Sequence, residues 1–292
     1  MKKVLIILVI SGHLIACSNR DEGGDKSKLT GYDYRLFQDT PVWLLAKAVK
    51  TGDILSIRNE VLINKINPDY QESRYGNTLL MMSIFNNDYT STKALLEVGA
   101  DPNLRDRHRG ANAVIDAAEN SDPRCLQLLL ANGGEPNVVE NKLSNDDDSP
   151  LQTALTSAIS YSDPSSFEKV KLLIEAGADV DFPNDKDHNT ELPIGIALKR
   201  DRMDIALYFL KIGADHEQVM YKMINDHDVY ILEALRKSIL ELQSPEYQKK
   251  LEIVAFLKGK GLDYFEEPIP DYIFQEIKEK YPKDWKEYAR KY

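Results

Sequence analysis

Cysteine is nearly absent: Cys17 and Cys125 are the only two in 292 residues. If Cys17 is modified, no disulfide can form within the chain, and packing alone must hold the fold. Cys125 opens the run Cys125-Leu126-Gln127-Leu128-Leu129-Leu130, beside an apolar helix face, and reads as a buried, unreactive thiol. Histidine is scarce too. After position 16 only His108, His188, His216 and His227 remain, and none has a second histidine or cysteine at ligand spacing, which excludes the common zinc patterns. The motifs G-x-S-x-G, H-E-x-x-H, C-x-x-C and G-x-x-x-x-G-K-S/T are missing. Asn145-Asp146-Asp147-Asp148 lacks the alternating ligands of a calcium loop. The expectation is a protein that is not an enzyme and needs no cofactor. Positive charge is in the minority, 37 Lys and Arg against 47 Asp and Glu, for a net −10. Nucleic-acid binding needs the opposite balance, since Lys and Arg must neutralise phosphates.

Long hydrophobic runs are lacking as well. Val4 to Ile10 is far shorter than the ~20 residues of a membrane-spanning helix. Lys2 and Lys3 precede it and Leu14-Ile15-Ala16-Cys17 follows it. This arrangement resembles the lipobox of bacterial lipoprotein signal peptides. The resemblance implies removal of residues 1–16, a lipid on Cys17, membrane attachment through that lipid, and a place in the bacterial envelope. Ser18 after the cysteine suggests the outer membrane, facing the periplasm. An ordinary secretory signal is the alternative; it fits less well because Leu14 is large where such cleavage sites are small. Loss of residues 1–16 removes two lysines and no acidic residue, taking the formal charge from −10 to −12. Residues 18–30 (SNRDEGGDKSKLT) are polar and aperiodic. They read as a flexible linker, with the tether drawn as residues 17–39; a dozen such residues span roughly 20 Å.

What the chain does have is an internal repeat. Its punctuation is Gly99-Ala100-Asp101-Pro102-Asn103, Gly133-Gly134-Glu135-Pro136-Asn137, Gly177-Ala178-Asp179-Val180-Asp181 and Gly213-Ala214-Asp215-His216-Glu217, with Gly261-Leu262-Asp263 a weaker copy. Each follows an apolar helical face. Glycine can end a helix in the left-handed conformation without a Cβ penalty, and the acidic residue can bond nearby backbone to shape the turn. The next helix is expected to open near Thr78, Asn112, Ser149 and Leu192, with Ser149-Pro150 a cap followed by proline at the first helical position.

These residues resemble the ankyrin repeat, whose helix opens on T-P-L-H-x-A. Ser149-Pro150-Leu151-Gln152-Thr153-Ala154 matches closely; Thr78-Leu79-Leu80-Met81-Met82-Ser83 and Leu192-Pro193-Ile194-Gly195-Ile196-Ala197 match in part. The resemblance implies an all-α solenoid of helix pairs joined by hairpin loops. The repeat domain is placed at residues 40–264, opening with a capping repeat from Pro41 to Asn67. Two departures stand out. The spacing from Gly133 to Gly177 is lengthened by Glu140–Asp148 and Ile159–Phe167, and Gln218–Lys250, with a helical run over Val229–Leu242, has no clear register. Residues 265–292 place Ile269, Ile273 and Ile277 four apart, then Trp285, Tyr288 and Tyr292, and read as a helical cap over the open end.

Ankyrin proteins bind other proteins through their hairpin tips and concave helix face, so the resemblance implies a protein partner. The tips differ in charge. Arg105, Arg107, His108 and Arg109 make the first basic. Lys142, Asp146, Asp147 and Asp148 make the second largely acidic, and Asp185 and His188 belong to a mixed third. Such tips are either simply solvated or a complementary pattern that fixes one partner's register. By architecture the chain also resembles immunity lipoproteins. The expected function is then capture of a membrane-targeting toxin such as a secreted phospholipase. The alternative is an adaptor holding an endogenous envelope protein at the membrane.

Overall fold

Fourteen helices and one short β-ribbon form the residues that the computed structural model describes, which are 25–141, 151–182, 191–223 and 225–292. Ten of the helices come in packed pairs, and the next two continue the two layers one on each side. The first members are α1 (Trp43–Thr51), α3 (Leu79–Phe85), α5 (Ala113–Glu119), α7 (Ala154–Ala158), α9 (Pro193–Lys199) and α11 (Ile231–Lys237). The second members are α2 (Ile54–Arg58, running on as a π turn over Asn59–Ile63), α4 (Tyr89–Glu97), α6 (Pro123–Ala131), α8 (Ser166–Glu175), α10 (Met203–Ile212) and α12 (Pro245–Lys258). First helices pack on first helices and second on second, giving two layers around one continuous core. Leu45, Ile84, Val114 and Leu155 fill it from one layer, and Leu95, Leu126, Leu173 and Phe209 from the other.

The punctuation works as the residues suggest. Gly99, Gly133, Gly177, Gly213 and Gly261 have φ between +82° and +104°. A Cβ built on any of them would meet nothing within 4 Å, so the requirement is the left-handed backbone itself and not space. The acidic residue two places on ties the turn: Asp101 Oδ1 accepts from Asn103 N at 2.8 Å, and Asp179 and Asp215 repeat the bond to Asp181 N and Glu217 N. Thr78 and Asn112 cap their helices by accepting from the backbone N–H three residues on. Asp53 and Asp88 cap second helices in the same manner, and Asp122 does so by accepting from Arg124 N two residues on.

A second set of polar residues joins one repeat to the next. Asn103 Oδ1 accepts from Glu135 N at 2.8 Å while its Nδ2 donates to Gly133 O at 2.9 Å. Asn137 does the same for Asp179 N and Gly177 O, both at 2.9 Å. Asp181 accepts from Asp215 N at 3.0 Å.

Three expectations need correction. The helix after the long hairpin does not open at Ser149-Pro150, which lie outside the described residues. It opens at Ala154, capped by Thr153, whose side chain accepts from Thr156 N at 3.2 Å. Leu151 and Gln152 are not helical, and Thr153 supplies the side-chain cap from which the helix starts. The tether does not extend to residue 39. Lys26–Lys28 and Tyr34–Phe37 form 3-10 turns, and Tyr34, Leu36 and Phe37 are buried against α1, because three large apolar side chains gain more from packing than a linker gains from freedom. Finally, Val229 is not helical. Tyr221–Lys222 (β1) pairs antiparallel with Asp228–Val229 (β2), and the helix that follows ends at Lys237. Gly195 of α9 lies against this ribbon; a Cβ there would overlap the Met220 carbonyl.

The last two helices, α13 (Asp271–Lys280) and α14 (Trp285–Lys291), bury Ile273, Ile277, Tyr288 and Tyr292 in a small core of their own. Buried Arg236 holds them to the array by donating to the carbonyls of Tyr264 at 2.9 Å and Tyr292 at 2.5 Å.

One buried ion pair compensates for the longer loop between α7 and α8. Lys169 is 1% exposed. Its Nζ donates to the carbonyls of Ala118 (2.6 Å) and Asn120 (2.7 Å) at the end of α5 and pairs with Asp163 at 2.8 Å. Burial alone would raise the Asp163 carboxyl, but bonds from Lys169 and Ser165 outweigh it and hold the group below the usual range. A depressed carboxyl contributes stability above its unfolded value of about 3.9 and loses it as pH falls through the lower folded value. Lys169→Met should therefore cost about 3 kcal/mol in urea unfolding at pH 7, and the deficit should shrink below about pH 4. An unchanged midpoint at pH 7 would show that the pair is dispensable.

Candidate protein-binding face

The hairpins between helix pairs close on carboxylates. Glu72 N donates to Asn77 O at 3.0 Å, Asp106 N to Ala111 O at 2.9 Å, and Glu140 N to Gln152 O at 3.0 Å. The same three side chains accept backbone N–H groups of the tips. Glu72 Oε1 takes Tyr75 N at 2.6 Å, and Asp106 Oδ1 takes His108 N and Arg109 N at 2.6 Å. Glu140 Oε2 takes Gln152 N at 3.0 Å. Each tip is stitched to the next, Arg107 N donating to Tyr75 O at 2.7 Å and Asn141 N to Arg109 O at 2.8 Å. The sequence signal for this device is an acidic residue every 34 positions, at 72, 106 and 140, and the glycine and helix patterns had masked it.

The four expected binding residues of the first tip divide into two kinds. Arg105, Arg107 and His108 are exposed, with the His108 ring edge-on to Tyr75 at 6.1 Å. Arg109 is not available in the same way. It lies in a nest of carboxylates, with Nη2 2.6 Å from Asp116, Nη1 3.2 Å from Glu119 and Nε 3.2 Å from Glu140. A tip that reads as basic is thus balanced by acids from α5 and the next hairpin. Cys17, Lys142, Asp146, Asp147, Asp148, Asp185 and His188 lie outside the described residues.

Register then places equivalent side chains in a row. In four of the six first helices the seventh residue after the cap is Phe85, Glu119, Lys199 and Lys237, counted from Thr78, Asn112, Leu192 and Tyr230; in α7 it is Ser160 and in α1 the buried Val49. All four are at least partly exposed. Phe85 carries Tyr32 of the N-terminal arm stacked face to face on it. Lys199 and Lys237 both sit over the Tyr221 ring at 5.1 Å. Burial lowers the Lys237 ammonium, with Lys199 adding to the effect and Glu233 opposing it. The face thus runs from aromatic through acidic to basic along the array. A cleft of about 180 Å³ opens near its aromatic end, lined by Tyr32, Tyr75, Met81, His108, Arg109 and Asp116.

Nothing in this arrangement pairs a nucleophile with a base. Cys125 is buried, and burial raises its thiol. Among the described residues, no group of three His, Cys, Asp or Glu is placed to hold a metal, and no helix is long and apolar enough to cross a membrane.

Burial pushes the Asp116 carboxyl up to about 7; Glu119, Asp106 and Glu140 add to the rise, while Arg109 pulls against it. A carboxyl raised above its unfolded value binds its proton more tightly when folded. Stability therefore increases as pH falls through about 7 and levels off below the unfolded value of about 4. The thermal midpoint should climb between pH 8 and pH 5.5 in the natural chain and climb less in Asp116→Asn; parallel profiles would remove this assignment.

Comparison with known proteins bears on the whole array. Residues 75–107 match the family model "Ankyrin repeat", and residues 109–220 match "Ankyrin repeats (3 copies)". The chain is also similar to "Protein PhlB" of Serratia liquefaciens, 27% identical over 135 residues, which cover 46% of this chain and 54% of that protein. The chain thus spans about half the length of this relative. Helix pairs with left-handed glycine ends, hairpins stitched tip to tip, and family matches from residue 75 to 220 agree: this chain belongs to the ankyrin-repeat family, whose arrays mediate protein–protein interaction.

Proposed function

We propose that the protein is a non-enzymatic, lipid-anchored capture protein of the bacterial envelope. In its most specific form it is an immunity protein that binds and neutralises a membrane-targeting toxin such as a secreted phospholipase. The observation that carries the capture reading is the graded row Phe85, Glu119, Lys199 and Lys237 on the first helices. A face that changes sign along its length accepts a partner in one orientation and rejects the reverse by like-charge contact. The lipobox-like Leu14-Ile15-Ala16-Cys17 supports the anchor, and an anchor would concentrate an inhibitor where a membrane-attacking enzyme works.

The test begins with the full-length protein in its own envelope. Its partner is captured and identified by mass, and each charge on the row is then reversed. Glu119→Lys, or Lys199→Glu with Lys237→Glu, should weaken capture about tenfold or more, which is about 1.4 kcal/mol. Lys171→Glu on α8 should leave it unchanged. Equal capture by all variants would move the binding surface elsewhere. If the partner is a toxin, its periplasmic expression should kill cells lacking this protein and spare cells that have it. A partner that is harmless when expressed alone would instead favour an adaptor. Labelled fatty acid should enter the natural chain and be lost in Cys17→Ser.

A further inference from the structure

The two ends of the array are finished differently. At the far end α13 and α14 form a small core against which Ile239 and Leu242, between α11 and α12, are packed. At the near end the arm covers one side of α1 with Tyr34, Leu36 and Phe37, and α1 and α2 pack on the next helix pair, but four large apolar side chains of this first pair stay exposed. Leu55 is 74% exposed, Ile63 72%, Leu44 57% and Leu62 49%. Leu55 lies in α2, and Leu62 and Ile63 lie in the π turn that continues it. The antiparallel course of α1 and α2 brings Leu44, in the first turn of α1, alongside the π turn that holds Leu62 and Ile63. Soluble repeat arrays need a polar outer face on their terminal repeat, and this one has leucines there.

Charge selects what covers it. Residues 41–67 carry Lys47, Lys50, Arg58 and Lys65 against Asp53 and Glu60, a net positive segment in a chain of net −10. Lys47, Lys50 and Lys65 of this pair are exposed, while Arg58 is paired with Glu97. Exposed leucines and exposed lysines on one short helix pair are the composition of a surface that lies on an anionic bilayer, apolar side chains entering and ammonium groups meeting phosphates. Position adds to this. Asp25 is eight residues from Cys17, at most about 28 Å of chain, and the arm that starts there docks on the first hairpin tip through Arg74 and Asn77.

We propose that the first helix pair rests on an anionic lipid surface, with Leu44, Leu55, Leu62 and Ile63 inserted at the headgroup level. This contact depends on neither the identity of the protein partner nor the toxin reading. It is tested without the lipid, in the chain from residue 17 onward with Cys17→Ser, so that the apolar Val4–Ile10 run cannot itself enter the bilayer, by co-sedimentation with vesicles of phosphatidylethanolamine and phosphatidylglycerol. The protein should bind, and Leu55→Asp with Ile63→Asp should weaken binding about tenfold or more. Phosphatidylcholine vesicles and high salt should weaken it as well. Both substitutions are at exposed sites, and an unchanged circular dichroism spectrum would confirm the fold. Lys47→Glu with Lys65→Glu gives an independent variant that should also lose binding. Failure of Cys17→Ser to bind, or binding that all these variants share equally, overturns the proposal. So does a full-length dimer that the aspartate pair dissolves, which would assign the face to a second copy of the chain. Neither failure touches partner capture by the helix row, which is measured separately.

Discussion

Register between neighbouring repeats is the constraint on which the rest depends, and polar side chains set it. Apolar helix faces slide over one another at modest cost, since burial is non-directional. Asn103, Asn137 and Asp181 do not permit that. Each bonds the backbone of the next repeat's turn, and a slip of one residue would leave N–H or C=O groups unmatched. The carboxylates Glu72, Asp106 and Glu140 do the same at the hairpin tips. Because both ends of each repeat are pinned, the side chains of one first helix are held at a fixed place relative to those of the next. The surface of the first helices is therefore a product of staples in the turns, several residues away from it.

The repeat was legible because its signals are local. A glycine must be left-handed where a helix stops, and a small polar residue must cap where one starts, whatever surrounds them. What was misread involved competition. Ser149-Pro150 is a sound helix start in isolation, yet Thr153 offers an equivalent cap four residues later. Leu36 and Phe37 look sparse among polar neighbours, and only the presence of α1 beside them makes them core. Val229 fits a helical run but is taken by a strand partner at Tyr221, which no periodicity announces. Arg109 reads as a free cation in a basic string; the acids that engage it come from positions 116, 119 and 140. Side chains brought together from different repeats were the part that sequence could not show.

Net charge proves a weak guide to this molecule for the same reason. A value of −10 describes neither the mixed tip at Arg109, nor the paired lysines over Tyr221, nor the positive first helix pair. Segregation along an elongated array allows one chain to present opposite signs to different neighbours.

The arm has a mechanical meaning. Arg74 Nη1 donates to the carbonyls of Lys26 and Leu29, Asn77 Nδ2 donates to Gly31 O, and Tyr32 lies on Phe85. Tension along the arm would therefore meet the first hairpin tip and Phe85 before it reached Tyr34, Leu36 and Phe37 in the core. The bonds that take this load lie beside the residues that would grip a partner.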